Sequence, residues 1–194
     1  MFSIRYFRPV LMVVSIAGFS SALPATAQTP TKPAIVAERD GQHDFDFNIG
    51  VWRTHIRRMP DPFSPGTQTV ELEGTVTVQP IWGGRAQWEE IEADGPNGHW
   101  QGMTLFLYNP EARQWSQSFI GSDVGQLTTP LIGAFRDGRG ELFSQDTFNG
   151  RSILVRGVWS DIKSDSHRFE ESYSDDGGKT WAPAFIATLT RKNS

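Results

Sequence analysis

Cysteine is missing from all 194 residues, which excludes disulfides, a thiolate nucleophile, Cys-ligated zinc and a lipidated N-terminal cysteine. Excess positive charge is missing too. The formal charge is −4, and it falls to −6 once Arg5 and Arg8 of the first segment are set aside. Such a chain does not neutralise a phosphate backbone, so nucleic acid is not an expected partner. No Gly-rich phosphate loop runs from a strand into a helix, and no G-x-S-x-G elbow occurs. His43, Asp44 and Asp46 offer ligands close together, but no second cluster completes a site, so no metal is expected.

Long apolar runs are confined to the start. Met1 to Ala27 has a basic beginning (Arg5, Arg8), an apolar stretch from Val10 to Phe19 and a small-x-small end, Ala25-Thr26-Ala27, which predicts a signal peptide cleaved after Ala27. About ten apolar residues make ~15 Å of helix against a hydrocarbon layer of ~30 Å, so a leader is expected rather than a membrane span. Export without cysteine, from a chain with 14 Arg and 4 Lys, predicts a bacterial periplasmic or secreted protein. Residues 28–41, with Pro30 and Pro33, read as a flexible lead-in, and 42–193 as one folded domain. With 38% hydrophobic and 21% charged residues, that domain has the means to bury a core.

What the domain does contain is alternation at period two. In Val70 to Gln79, Val70, Leu72, Val76 and Val78 share one face, while Glu71, Glu73, Thr75, Thr77 and Gln79 share the other. Turn residues separate such runs at Gly83-Gly84, 94–98, Asn109-Pro110, 137–140, Asn149-Gly150 and 176–178. Strands are predicted near 51–58, 68–79, 85–92, 99–108, 113–120, 131–136, 141–147, 151–160, 167–174 and 181–191. The class is all-β: an antiparallel up-and-down meander of about ten strands. An even count lets first and last strands pair and close a barrel; a β-sandwich is the alternative.

The opening His43-Asp44-Phe45-Asp46-Phe47-Asn48-Ile49-Gly50-Val51-Trp52 resembles the F-D-F-x-x-G-x-W start of a calycin-like family of secreted bacterial proteins carrying a domain of unknown function. It also contains the G-x-W element of lipocalins. The resemblance implies a lipocalin-like barrel whose Trp, here Trp52, plugs the closed end and stacks on an Arg of a late strand, here Arg191. The strand count agrees, since a tenth strand returns Arg191 to the end where Trp52 starts. Ser174-x-Asp176-x-Gly178-x-Thr180-Trp181 is similar to an Asp box, which implies a self-bonded hairpin turn. Small heme-binding barrels resembling nitrobindin use a late-strand His, a place His167 would fill. Their further glycines after G-x-W are replaced here by Arg53-Thr54-His55, so heme is not expected.

Following the strands up and down from Trp52 puts connections 59–67, 93–98, 121–130, 148–150 and 175–180 at the open end, where ligands enter such barrels. Candidates near that mouth are Arg57, Arg58, Glu90, Glu92, His99 and Asp123. Glu90, His99 and Arg58 are the catalytic candidates, because a carboxylate and an imidazole over an apolar cavity suffice for acid–base chemistry. Parity forces a choice on the third strand: Trp88, Glu90 and Glu92 are all inside or all wet. Seven tryptophans are many for this size, and Trp88, Trp100, Trp115 and Trp159 are candidates to line a cavity, with Arg58 to meet an acidic group. The expected function is binding of a small apolar or aromatic molecule. A cofactor-free lyase, isomerase or hydratase and a dry-barrel interaction module are the alternatives.

Overall fold

A computed structural model describes residues 40–192. The leader assigned to 1–27 and nearly all of the lead-in lie outside them. Ten strands follow one another: β1 (Gly50–Arg58), β2 (Val70–Ile81), β3 (Ala86–Gly95), β4 (Gly98–Asn109), β5 (Gln114–Gly121), β6 (Leu131–Arg136), β7 (Arg139–Phe148), β8 (Arg151–Ser160), β9 (Ser166–Ser174) and β10 (Ala182–Arg191). Each pairs antiparallel with its sequence neighbours, and β1 pairs with β10 from Trp52↔Arg191 to Arg58↔Phe185, so the sheet closes into a barrel as the meander predicts. The sandwich is ruled out. Among the described residues no helix is long and apolar enough to cross a membrane.

Most strand ends fall within two residues of the expected ones. β3 overruns its expected end at 92 by three residues, because Asp94 and Gly95 pair with His99 and Gly98 and shorten the turn to two residues. Two hairpins turn on residues with positive φ at both central positions, Asp137-Gly138 (52°, 75°) and Asn149-Gly150 (48°, 76°). That is the turn type whose twist matches a tight antiparallel pair. The wall is uneven at one place: β6 meets β5 only through Trp115↔Gly133, Ser116↔Ile132 and Gln117↔Leu131. Above this the wall is taken over by loop 122–130, where the Thr128 amide donates to the Phe119 carbonyl at 2.8 Å.

Alternation decides what faces inward. On β1, Trp52, Thr54 and Ile56 are buried while Val51, Arg53, His55 and Arg57 are exposed. Outward polar contacts, His55 with Glu71 (2.8 Å) and the ion pair of Arg57 with Glu71 (3.3 Å), join β1 to β2 on the wet side.

Candidate functional site

The closed end is built first, by the segment that precedes β1. Phe45 is fully buried and inserts among the barrel's lower side chains, with ring centroids 4.8 Å from Phe106, 5.1 Å from Trp115, 4.8 Å from Phe135 and 5.4 Å from Trp159. Barrel side chains hold this segment by its backbone. Gln87 donates to the Phe45 carbonyl (2.9 Å), the Trp115 indole to the Gly41 carbonyl (2.9 Å) and the Tyr108 hydroxyl to the Asp40 carbonyl. The phenylalanines of F-D-F are therefore a plug, and their spacing puts Phe47 beside Phe135, Trp159 and His167.

Trp52 completes the floor. Its indole donates to the Asn48 carbonyl (2.8 Å), and the Arg191 guanidinium lies 4.0 Å from its ring centroid. Such a cation–π contact contributes ~0.5–2 kcal/mol. Arg191 is itself fixed by donating to the carbonyls of Ser164 (2.9 Å) and Ile49 (3.3 Å). The glycine of G-x-W is needed here: Gly50 has φ 129°, and a Cβ there would stand 2.6 Å from Arg191 Nη1. His167 packs edge-on against Trp52, ring centroids 4.4 Å apart, and neither ring nitrogen has a hydrogen-bond partner. Burial, followed by the Arg191 charge, lowers its pKa to about 4, so the imidazole is neutral.

Above the floor lies a cavity of about 320 Å³. Its apolar wall includes Ile56, Ile91, Trp100, Phe119, Trp159 and Phe169. Its polar groups come from several strands. Thr54, 1% exposed, is among the lining residues, and its hydroxyl is buried with no hydrogen-bond partner. Glu89 is buried and accepts from the Thr104 hydroxyl (2.7 Å) and the Asn48 amide (3.3 Å). Burial raises its pKa against these two bonds, which disfavours the charged form. Gln117 accepts from the Trp159 indole at 3.0 Å. Nearer the mouth, Tyr173 donates to Glu171 (3.0 Å); burial raises the pKa of both, and the Asp146 charge adds to it.

The mouth carries Arg58, exposed and 5.4 Å from the Trp100 ring centroid, with Trp100 stacked on Phe119 at 5.9 Å. Met59 and Pro60 of the proline-rich 59–67 connection line the same cavity, and Phe63 packs on Phe148 at 6.1 Å. Trp100, Trp159 and Arg58 thus meet at one cavity. The other candidates do not. Trp88 is 38% exposed and projects from the outer face with Glu90 and Glu92, which is the wet side of the parity choice. Trp115 is buried in the plug, below the cavity. His99 is exposed and pairs with Asp94 at 3.0 Å on the outside. Glu90 and His99 therefore do not converge with Arg58.

Sequence reasoning missed Glu89 and Gln117 as cavity polar groups, whereas Thr54 is inward as its parity with Trp52 predicts. A signal for Glu89 was present: Glu89, Ile91 and Ala93 alternate with Glu90, Glu92 and Asp94, and the face carrying Ile91 and Ala93 is the drier one. Trp88 on the acidic face concealed it. The Asp box forms the expected self-bonded turn, with Asp176 accepting from the Ser174 and Thr180 hydroxyls and from the amides of Lys179 and Thr180. Those bonds hold its pKa well below the usual carboxylate range.

The fold and site define a closed ten-stranded antiparallel barrel, plugged at one end and hollow above the plug. Within that class, the chain belongs to the family described as "Protein of unknown function (DUF1579)", whose model matches residues 42–191. No curated protein matches the sequence. Among solved structures, an S-type phycobiliprotein lyase, CPES, from Guillardia theta is similar in fold, with a TM-score of 0.53 at 16% identity over 77% of this chain and 91% of that one. More distant are a de novo designed fluorescence-activating β-barrel (TM-score 0.43, 13% identity, 76% and 95% covered) and EF1p2_mFAP2b bound to DFHBI (0.44, 11%, 78% and 99%).

Proposed function

We propose that this protein is an exported barrel that takes a small, largely apolar or aromatic molecule through its mouth and holds it above the Phe45 plug. The observation that carries the reading is the cavity of about 320 Å³, walled by Trp100, Phe119, Trp159 and Phe169. Its volume suits a small molecule, and flat aromatic walls suit a flat ligand. A dry interaction module would fill this space with side chains. The enzymatic alternative loses its original support, because Glu90 and His99 are on the outer face. Burial of ~300 Å² of ligand surface at ~25 cal/mol per Å² gives ~7.5 kcal/mol before ordering costs.

The test is a titration with an environment-sensitive apolar dye and with a fatty acid, read by tryptophan quenching. Micromolar or tighter binding is expected, because Trp159 and Trp100 line the cavity. No quenching by either probe, with no rise in melting temperature at saturating concentration, would refute the reading.

A further inference from the structure

We infer that the mouth side of the cavity holds a cationic amine: the paired Glu171 carboxylate and Tyr173 hydroxyl take the ammonium of a ligand whose flat apolar body extends towards the floor. The inference rests on the ligand-binding reading above and adds the charge and chemical class of the ligand's polar end.

Strand parity brings the pieces together. On β9, Phe169, Glu171 and Tyr173 alternate on the inward face, and all three line the cavity. The Tyr173 hydroxyl donates to Glu171 Oε1 at 3.0 Å, so the two groups stand at one point of the wall. Glu171 Oε2 takes no hydrogen bond from the described residues. It is not one of the buried polar atoms without a partner, so it keeps contact with the cavity that its residue lines. Aromatic rings flank the pair: the Phe148 ring centroid is 5.5 Å from that of Tyr173, and Phe185 is the β10 register partner of Glu171. Both line the same cavity.

The charges around this point favour a cation. On β7, Leu142, Ser144, Asp146 and Phe148 share the inward face, with Leu142 buried and Asp146 exposed near the mouth. Burial, and after it the Asp146 charge, raise the pKa of Glu171 and disfavour its ionised form. No ion pair offsets them among the described residues. Arg58, the cation of the cavity lining, is separated from Glu171 in register by Phe185 and lies over Trp100 of β4, on the β2 side of β1. A carboxyl so placed lacks a counter-charge, and a ligand ammonium supplies it. Glu171 Oε2 and a lone pair of the Tyr173 hydroxyl accept from two of its three protons, and the neighbouring rings suit a cation. A ligand carboxylate meets two acids here and is left to Arg58 at the rim. A neutral carbonyl would need a proton on Glu171, which an ammonium does not.

Three ligands of one size test this: 2-(aminomethyl)naphthalene, 2-ethylnaphthalene and 2-acetylnaphthalene, titrated by tryptophan quenching at pH 7 into the wild-type chain and the Glu171→Gln and Asp146→Asn variants. In the wild type the amine should bind about tenfold more tightly than the ethyl compound. Glu171→Gln should reduce that ratio severalfold and leave the ethyl compound's affinity within twofold. Asp146→Asn, at the exposed rim, should reduce it about twofold. Equal affinities for amine and ethyl compounds, tighter binding of the acetyl compound than of the amine, or a ratio that Glu171→Gln leaves intact would overturn the amine inference while the binding reading stands. Binding of none of the three would remove both. Glu171→Gln keeps the side chain's size and an acceptor for Tyr173, so its melting temperature should match or exceed the wild type's, which excludes misfolding as the cause of a changed ratio.

Discussion

His167 shows how one side chain under the cavity sets a property of the whole fold. In the unfolded chain an imidazole titrates near ~6.5, whereas here its pKa is about 4. Between these values the unfolded state binds more protons, so stability falls as the pH drops from 6.5 towards 4 and is fully regained above 6.5. At ~1.36 kcal/mol per pKa unit the loss between pH 7 and pH 4.5 is roughly 2–3 kcal/mol. Glu89 and Glu171, raised by burial, contribute the opposite slope, lending stability that fades as pH rises. Comparing wild type with His167→Leu by urea midpoints at the two pH values cancels those carboxyls and isolates the imidazole. The variant should lose less stability on acidification than the wild type. An identical pH dependence would mean that His167 is not held neutral. Its burial was legible in part, since it shares a face with Phe169, Glu171 and Tyr173, but its contact with Trp52 depends on register across β10, which no local pattern encodes.

At the scale of the strand, β3 carries two adjacent glutamates with opposite fates. Glu89 anchors Thr104 and Asn48 inside, and Glu90 stands in water across from Thr77 and Met103. Glu89→Ala should cost ~2–4 kcal/mol, because it strips two buried donors of their acceptor and leaves space behind. Glu90→Ala should stay within ~0.5 kcal/mol. Denaturant midpoints decide, and equal effects would mean that the strand's parity is reversed. The strands themselves were legible because one face is apolar over most of their length and turn residues stand between them. Orientation on β3 was not, because Trp88 belongs to the wet face and its bulk argued for the opposite. The plug was missed for a related reason: F-D-F reads as an approach to β1, and only the closed barrel turns Phe45 and Phe47 into its filling.

For the molecule as a whole, an even number of short antiparallel strands was enough to foresee closure, while the hollow above the plug was beyond reach of the pattern. Whether inward residues meet across a barrel depends on shear and on which side chains sit level, and a sequence read strand by strand does not carry that information. The export reading is also a statement about the whole chain. Material recovered from the periplasm or medium should have a mass beginning at Gln28, and a Met1 start in that material would refute it. The pairing of Trp52 with Arg191 also fixes where the chain enters and leaves the barrel. The Lys192 amide donates to the Val51 carbonyl and the Asp40 carbonyl accepts from Tyr108, so residues 40 and 192 both depart at the plugged end. Anything attached at either point, a tag, a chip surface or a fused partner, hangs from the floor, and the mouth with Arg58 and Trp100 stays open to solution.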